Sequence, residues 1–152
     1  MRSKAFLAVA VLVATTSLPA CASGIDNKPP DMESILALEN RAGQAQPREQ
    51  CFLYAELVHQ LTELSVRQYA SGDVGKATAL LKRVQSFAHK IHLSLAQNDK
   101  RIKNTEILLN HTAFRLTEML HASSLDDRSV VQDTLADVTQ AQQETMFQVF
   151  KK

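Results

Sequence analysis

Residues 47–97 read PREQCFLYAELVHQLTELSVRQYASGDVGKATALLKRVQSFAHKIHLSLAQ. Tyr54, Leu57, Val58, Leu61 and Leu64 recur at helical spacing, and Ala77, Leu81, Val84, Ala88, Ile91 and Leu95 do the same after a break. A helix turns about 100° per residue, so each set forms one apolar stripe that must be covered by another element. The break is Ser71-Gly72-Asp73. Gly72 can take the left-handed conformation that ends a helix, and Asp73 can cap the next one. The stretch therefore predicts two long helices folded back on each other.

Working outward, Asp31 is placed to cap a short helix over about 32–42, with Met32, Ile35, Leu36 and Ala37 or Leu38 as its apolar side. Gly43 to Gln46 ends it, and Pro47 suits the first turn of the next helix, where no N–H is needed. On the other side, Asn98-Asp99 is a second break. It opens a helix over about 100–122 with the stripe Ile102, Leu109, Ala113, Leu116 and Leu120. Ser123 to Asp126 closes that helix and starts a last one over about 127–150. There Val131, Leu135, Val138 and Val149 face one way, interrupted by Gln142 and Thr145. Gly and Pro number only four each, β-branched residues are scattered, and no strand is predicted. Helices of this length run about 35 Å, and short connections make consecutive helices antiparallel neighbours. The predicted fold is all-α: an up-down-up-down four-helix bundle with a short extra N-terminal helix, one domain over 31–152.

The N-terminus has another character. Arg2 and Lys4 precede a small apolar run, Ala5 to Leu18, and Ala20-Cys21-Ala22 offers the small-x-small pattern of a cleavage site. Residues 1–22 read as a signal peptide and 23–30, with Pro29-Pro30, as a disordered tether. Leu18-Pro19-Ala20-Cys21 also resembles a bacterial lipobox, which implies lipidation at Cys21 and an anchored product instead of a soluble one. The expected destination is periplasmic or extracellular. No run of eighteen apolar residues follows the signal, so the mature chain has no predicted transmembrane helix. Cys51 is the one thiol of the body and reads as a small packed hydrophobe.

Losing Arg2 and Lys4 takes the formal charge from +1 to −1. Residues 73–103 nonetheless carry a net charge of +5, and residues 104–150 one of −5. The basic residues Lys82, Arg83, Lys90, Lys100, Arg101 and Lys103 are the candidate partner-binding set. An anionic envelope component, or another envelope protein, is the expected partner; nucleic acid is not expected outside the cytoplasm. The C-terminal Met146, Phe147, Phe150, Lys151 and Lys152 are apolar on more than one side, with Phe147 pointing away from the predicted core stripe.

Glu-x-x-His occurs twice, as Glu56…His59 and Glu118…His121. In a bundle two such motifs resemble the ferritin-like two-metal centre, but the helix over 74–97 has no acidic residue for the bridge. Helical rotation also turns Glu56 about 130° and Glu118 about 160° from their stripes, toward water. His89 and His92 share a helix side at chelating spacing and read as a solvated pair. Leu64 to Leu81, with Tyr69, Gly72-Asp73, Lys76-Ala77 and Leu80-Leu81, resembles one tetratricopeptide hairpin. A period of about 34 residues then meets Glu106 and His111 where Gly72 and Ala77 should recur, so no second repeat follows. No phosphate loop, nucleophile elbow or His-Glu-x-x-His helix is present, and no catalytic residue or cofactor is assigned. The expected function is non-enzymatic: an exported envelope protein that binds or scaffolds a partner. A metal-binding or redox bundle using Glu and His, and a tetratricopeptide-like peptide-binding protein, are the alternatives.

Overall fold

Where the chain turns back at Ser71–Asp73, backbone chemistry makes the hairpin. In the computed structural model, which describes residues 29–95 and 101–151, the first long helix, α2 (Pro47–Ala70), leads into α3 (Val74–Ser94). Gly72 sits at φ 85°. Its N–H donates to the Tyr69 carbonyl at 3.0 Å and that of Asp73 to the Gln68 carbonyl at 2.9 Å, the paired bonds of a Schellman ending. The Asp73 carboxylate then accepts from the Lys76 backbone N–H at 3.2 Å and caps α3.

Before the hairpin comes α1 (Met32–Gln44), opened by a capping box between Asp31 and Ser34. It runs two residues past the expected end and buries Ile35, Leu38 and Ala42, while Met32, Leu36 and Ala37 are exposed. The reason is spacing: i, i+3 and i+7 make one line along α2, and Leu36 stands about 100° from Ile35. After the hairpin come α4 (Ile102–Ala122) and α5 (Arg128–Phe150). Among the described residues there are five helices and no strand, and no helix is long and apolar enough to cross a membrane. The expected signal peptide over 1–22 with Cys21, the tether over 23–28, the Asp99 cap, Lys100 and Lys152 lie outside the described residues. The residue at the α4 N-cap position is Arg101, whose side chain makes no capping bond.

The packing departs from the expected order at one step. Within each hairpin, α2 with α3 and α4 with α5, the partners are antiparallel. Between hairpins, α2 lies beside α4 and α3 beside α5. Both of these pairs are parallel: His59 meets Thr112 and Glu63 meets Arg115, while Gln85 meets Thr134 and His92 meets Glu144. Among the described residues α3 and α4, consecutive in sequence, are not adjacent neighbours. The cause is the breadth of the buried sector on α2, which includes Cys51, Ala55, Leu57, Val58, Leu61, Thr62 and Ser65. One stripe would serve one neighbour; this sector serves α1, α3 and α4 together.

All of the stripe in α3 is buried, as are Leu57, Val58 and Leu61 of α2, with Tyr54 and Leu64 partly covered. In α4 and α5 the stripe is mixed. Ile102, Leu109, Leu116, Val131 and Val138 are buried, but so are Thr105, Thr112, Thr134 and Thr145, whereas Leu135 and Val149 are only partly covered. Each of these four threonine hydroxyls donates to the carbonyl four residues back in its own helix, which is how a core made this way keeps its polar atoms paired.

Candidate functional site

The start of α2, the end of α3, the start of α4 and the end of α5 come together at one end of the molecule, as the directions of the four helices require. Two cations of the predicted set are held there by aromatic faces. The Arg101 guanidinium lies 3.5 Å from the Phe52 ring centre, and Lys90 Nζ lies 4.7 Å from that of Phe87 and 5.7 Å from that of Tyr54. Lys103 is exposed one turn from Glu106, whose carboxylate accepts from Gln142 of α5 at 2.9 Å. With α4 and α5 antiparallel, this bond sets a register in which Lys103, one turn before Glu106, lies toward the last turns of α5. Phe147 and Phe150 stand there 76 % and 80 % exposed, followed by Lys151, and Leu93 at the end of α3 is 65 % exposed. Of the acidic groups near this end, Glu144 is held by His92 at 2.5 Å and by Gln140 at 3.1 Å, while Glu49 in the first turn of α2 is exposed in the cleft that Phe52 and Arg101 line.

The predicted set does not form a single patch. Lys82 projects into solvent from the middle of α3. Arg83 turns to α1, where it pairs with Glu39 at 2.6 Å and reaches the Met32 sulfur at 3.6 Å. Lys90, Arg101 and Lys103 share the end just described. Leu93 was not among the candidates. Its signal was its position on the side of α3 opposite the stripe, the same misplacement that singled out Phe147.

Of the Glu-x-x-His motifs, His59 faces α4 in a polar seam between α2 and α4, and His121 is exposed at the end of α4. His59 Nδ1 lies 3.1 Å from Thr112 Oγ1, and its ring is 5.4 Å from that of His111. Burial lowers the His59 pKa, against the charge of Glu63 and with the help of His111 and Arg115. Arg115 donates to Glu63 at 2.7 Å and to Glu118 at 2.5 Å, and these bonds, Glu63 first, hold it protonated still more firmly than usual. Glu56 is paired with Arg41 of α1 at 3.0 Å. Both motif carboxylates thus bind arginine. Among the described residues no three His, Cys, Asp or Glu side chains are grouped to hold a metal ion.

His89 and His92 are exposed and stack at 6.1 Å. Beside them Asp137 has its pKa raised, by burial first and by Asp133 next, against His89. Burial acts to raise the Glu144 pKa, but the bonds from His92 and Gln140 outweigh it and the net direction is down. Cys51 is completely buried.

No protein-family model, curated protein or solved structure matches the chain.

Proposed function

We propose that this is an exported, non-enzymatic envelope protein, a helical bundle that docks on an anionic partner through the end bearing Lys90, Arg101, Lys103, Phe147, Phe150 and Lys151. In this reading α2–α5 form the bundle, with α1 laid along α2. Residues 1–22 are the export signal, and the mature product is periplasmic or extracellular. The observation that supports docking is the coincidence of exposed aromatic rings with basic side chains at one end. Surfaces of that kind sit at the boundary of anionic phospholipid, the rings entering the interface and the cations meeting head groups.

Co-sedimentation of mature protein with anionic and with neutral vesicles, at low and at physiological salt, tests it. Binding is expected to anionic vesicles only, to fall steeply with salt because exposed charges are screened within about 8–10 Å, and to be lost in Phe147→Ser/Phe150→Ser. Equal binding to both vesicles, or no effect of Lys103→Gln with Lys151→Gln, defeats it. Intact mass of the exported protein settles the N-terminus: a start at Ser23, or at Cys21 with added acyl mass, fits export, and a start at Met1 does not.

The parallel pairing of α2 with α4 and of α3 with α5 supports a second reading. Hairpins laid side by side in this way are how helical-repeat proteins stack, and such stacks present peptide-binding surfaces. A peptide ligand would then be expected to bind equally well to the Phe147→Ser/Phe150→Ser variant.

A further inference from the structure

At the opposite end from the aromatic rings, a groove of about 750 Å³ runs between the first turn of α1, the last turns of α2 and the first half of α3. Its lining includes Leu64, Leu80 and Met32, and the cations Arg67, Lys76 and Arg83. Two of the cations have carboxylate partners: Lys76 with Asp73 at 2.7 Å and Arg83 with Glu39 at 2.6 Å. Arg67 has none among the described residues. It donates to the Pro30 backbone carbonyl, a neutral acceptor that uses one of its five donors. The one acidic group on the rim, Asp31, caps α1 by accepting from the Ser34 backbone N–H, and its negative charge stays on the rim beside Pro30.

We infer that this groove binds a single-chain anionic amphiphile, an alkyl chain ending in a carboxylate or phosphate. The volume lies within the range of about 300–1,000 Å³ typical of small-molecule sites, and the combination of an apolar floor with a few convergent polar groups is what such sites share. Leu64 and Leu80 give an alkyl chain a surface from which water is expelled. Arg67 presents a planar fork of N–H donors to an anionic head, the geometry that carboxylate and phosphate accept best. A short anion would leave the apolar floor wet, and a neutral lipid would leave the remaining N–H donors of Arg67 without a matching acceptor. The occupant therefore has both parts.

Mature protein titrated with cis-parinaric acid, a fluorescent fatty acid, provides the test. Saturable one-to-one binding is expected, with an alcohol of the same chain at least tenfold weaker. Arg67→Gln should weaken the acid about tenfold and the alcohol hardly at all. Ala79→Glu places a carboxylate on the exposed rim, where folding tolerates it, and should weaken the acid by about as much. A myristoyl phosphate bound as tightly as the acid shows that the head is read as an anion, and a tenfold preference for either shows which head is its own. Equal binding of acid and alcohol, or unchanged binding in both variants, overturns the proposal. So does binding that appears only after residues 23–28 are removed, because the chain itself would then fill the groove. Phe147→Ser/Phe150→Ser should leave fatty-acid binding intact, so this site and the docking end stand or fall separately.

Discussion

The α2–α3 hairpin and the α4–α5 hairpin are of similar length and lie side by side, yet their interiors are made of different material. The first buries Leu57, Val58, Leu61, Leu81, Val84, Ala88 and Ile91. In the second, four of the eleven buried residues are threonine, at 105, 112, 134 and 145. A buried hydroxyl without a partner is destabilising, but one that donates to its own helix is nearly neutral, at some loss of apolar area. In the first hairpin the buried Ser65 hydroxyl instead donates across to the Ala77 carbonyl at 3.0 Å, and the buried Thr62 hydroxyl has no partner among the described residues. The difference teaches that a helix can line a core with threonine where each hydroxyl is satisfied within its own helix. It also places the specific, directional bonds at the junction. Gln85 donates to Thr134 at 2.9 Å and His59 contacts Thr112, so threonines of the second hairpin receive side chains of the first.

The strongest way to break the comparison is to charge each interior in turn. Leu61→Asp and Leu116→Asp should both abolish the cooperative thermal transition followed by circular dichroism, because a carboxylate cannot be solvated at either fully buried site. If Leu116→Asp still melted cooperatively near the wild-type temperature, the second hairpin would not share a core with the first. Gly72→Ala comes next. A Cβ there meets no atom within 4 Å, so the expected loss of about 1–2 kcal/mol in urea melts is wholly the strain of φ 85° for a residue with a side chain. A loss below a few tenths would mean that the turn relaxes.

Threonine replacements sharpen the contrast. Thr134→Val should cost about 1 kcal/mol, since Gln85 loses its acceptor, whereas Thr145→Val, whose hydroxyl bonds only within its own helix, should be close to neutral. Equal effects would show that the junction bond contributes nothing. The smallest effect is in pH. With its pKa lowered by burial from 6.5, His59 binds a proton in the unfolded chain before it does so in the folded one. Stability due to this group is therefore complete above about 6.5 and is lost as pH falls toward the lowered value. Urea midpoints at pH 7.5 and 5.5 should differ in that direction, and His59→Gln should narrow the gap. A midpoint that rises on acidification would contradict the buried setting.

The contrast also explains what could be read from the sequence. Apolar periodicity located the first hairpin, its turn and the buried stripe of α3, because Leu, Val and Ile announce burial; on α2 it found Leu57, Val58 and Leu61 but missed Phe52, Leu53, Ala55, Thr62 and Ser65, which widen the buried sector. It located the second pair of helices to within about two residues but mistook part of their core, since Thr134 and Thr145 look polar and Leu135 and Val149 look buried. Neighbour order was harder still. Short connections imply antiparallel partners, and nothing local in α3 says that it passes α4 by to lie along α5; that follows from how widely α2 is covered. At the candidate site the basic residues were legible as a charge excess. Their grouping was not, because Arg83 and Lys90 leave α3 on the α1–α2 side while Lys82 faces outward. The groove by Arg67 was invisible, being made where the start of α1 meets the α2–α3 hairpin more than thirty residues further along the chain.

The parallel placement of the hairpins bears on how the chain folds. Bonds joining them span 49, 52, 52, 53 and 58 residues of sequence. Contacts inside α2–α3 close instead across a three-residue turn. The loop-closure entropy of every junction bond is nearly the same and changes slowly with length, so once one has formed the others follow in register with no further ordering of the intervening chain. The junction contacts are thus the long-range ones that raise the contact order of the fold, and the side chains of the first hairpin that fix its register against the second are His59, Glu63, Gln85 and His92.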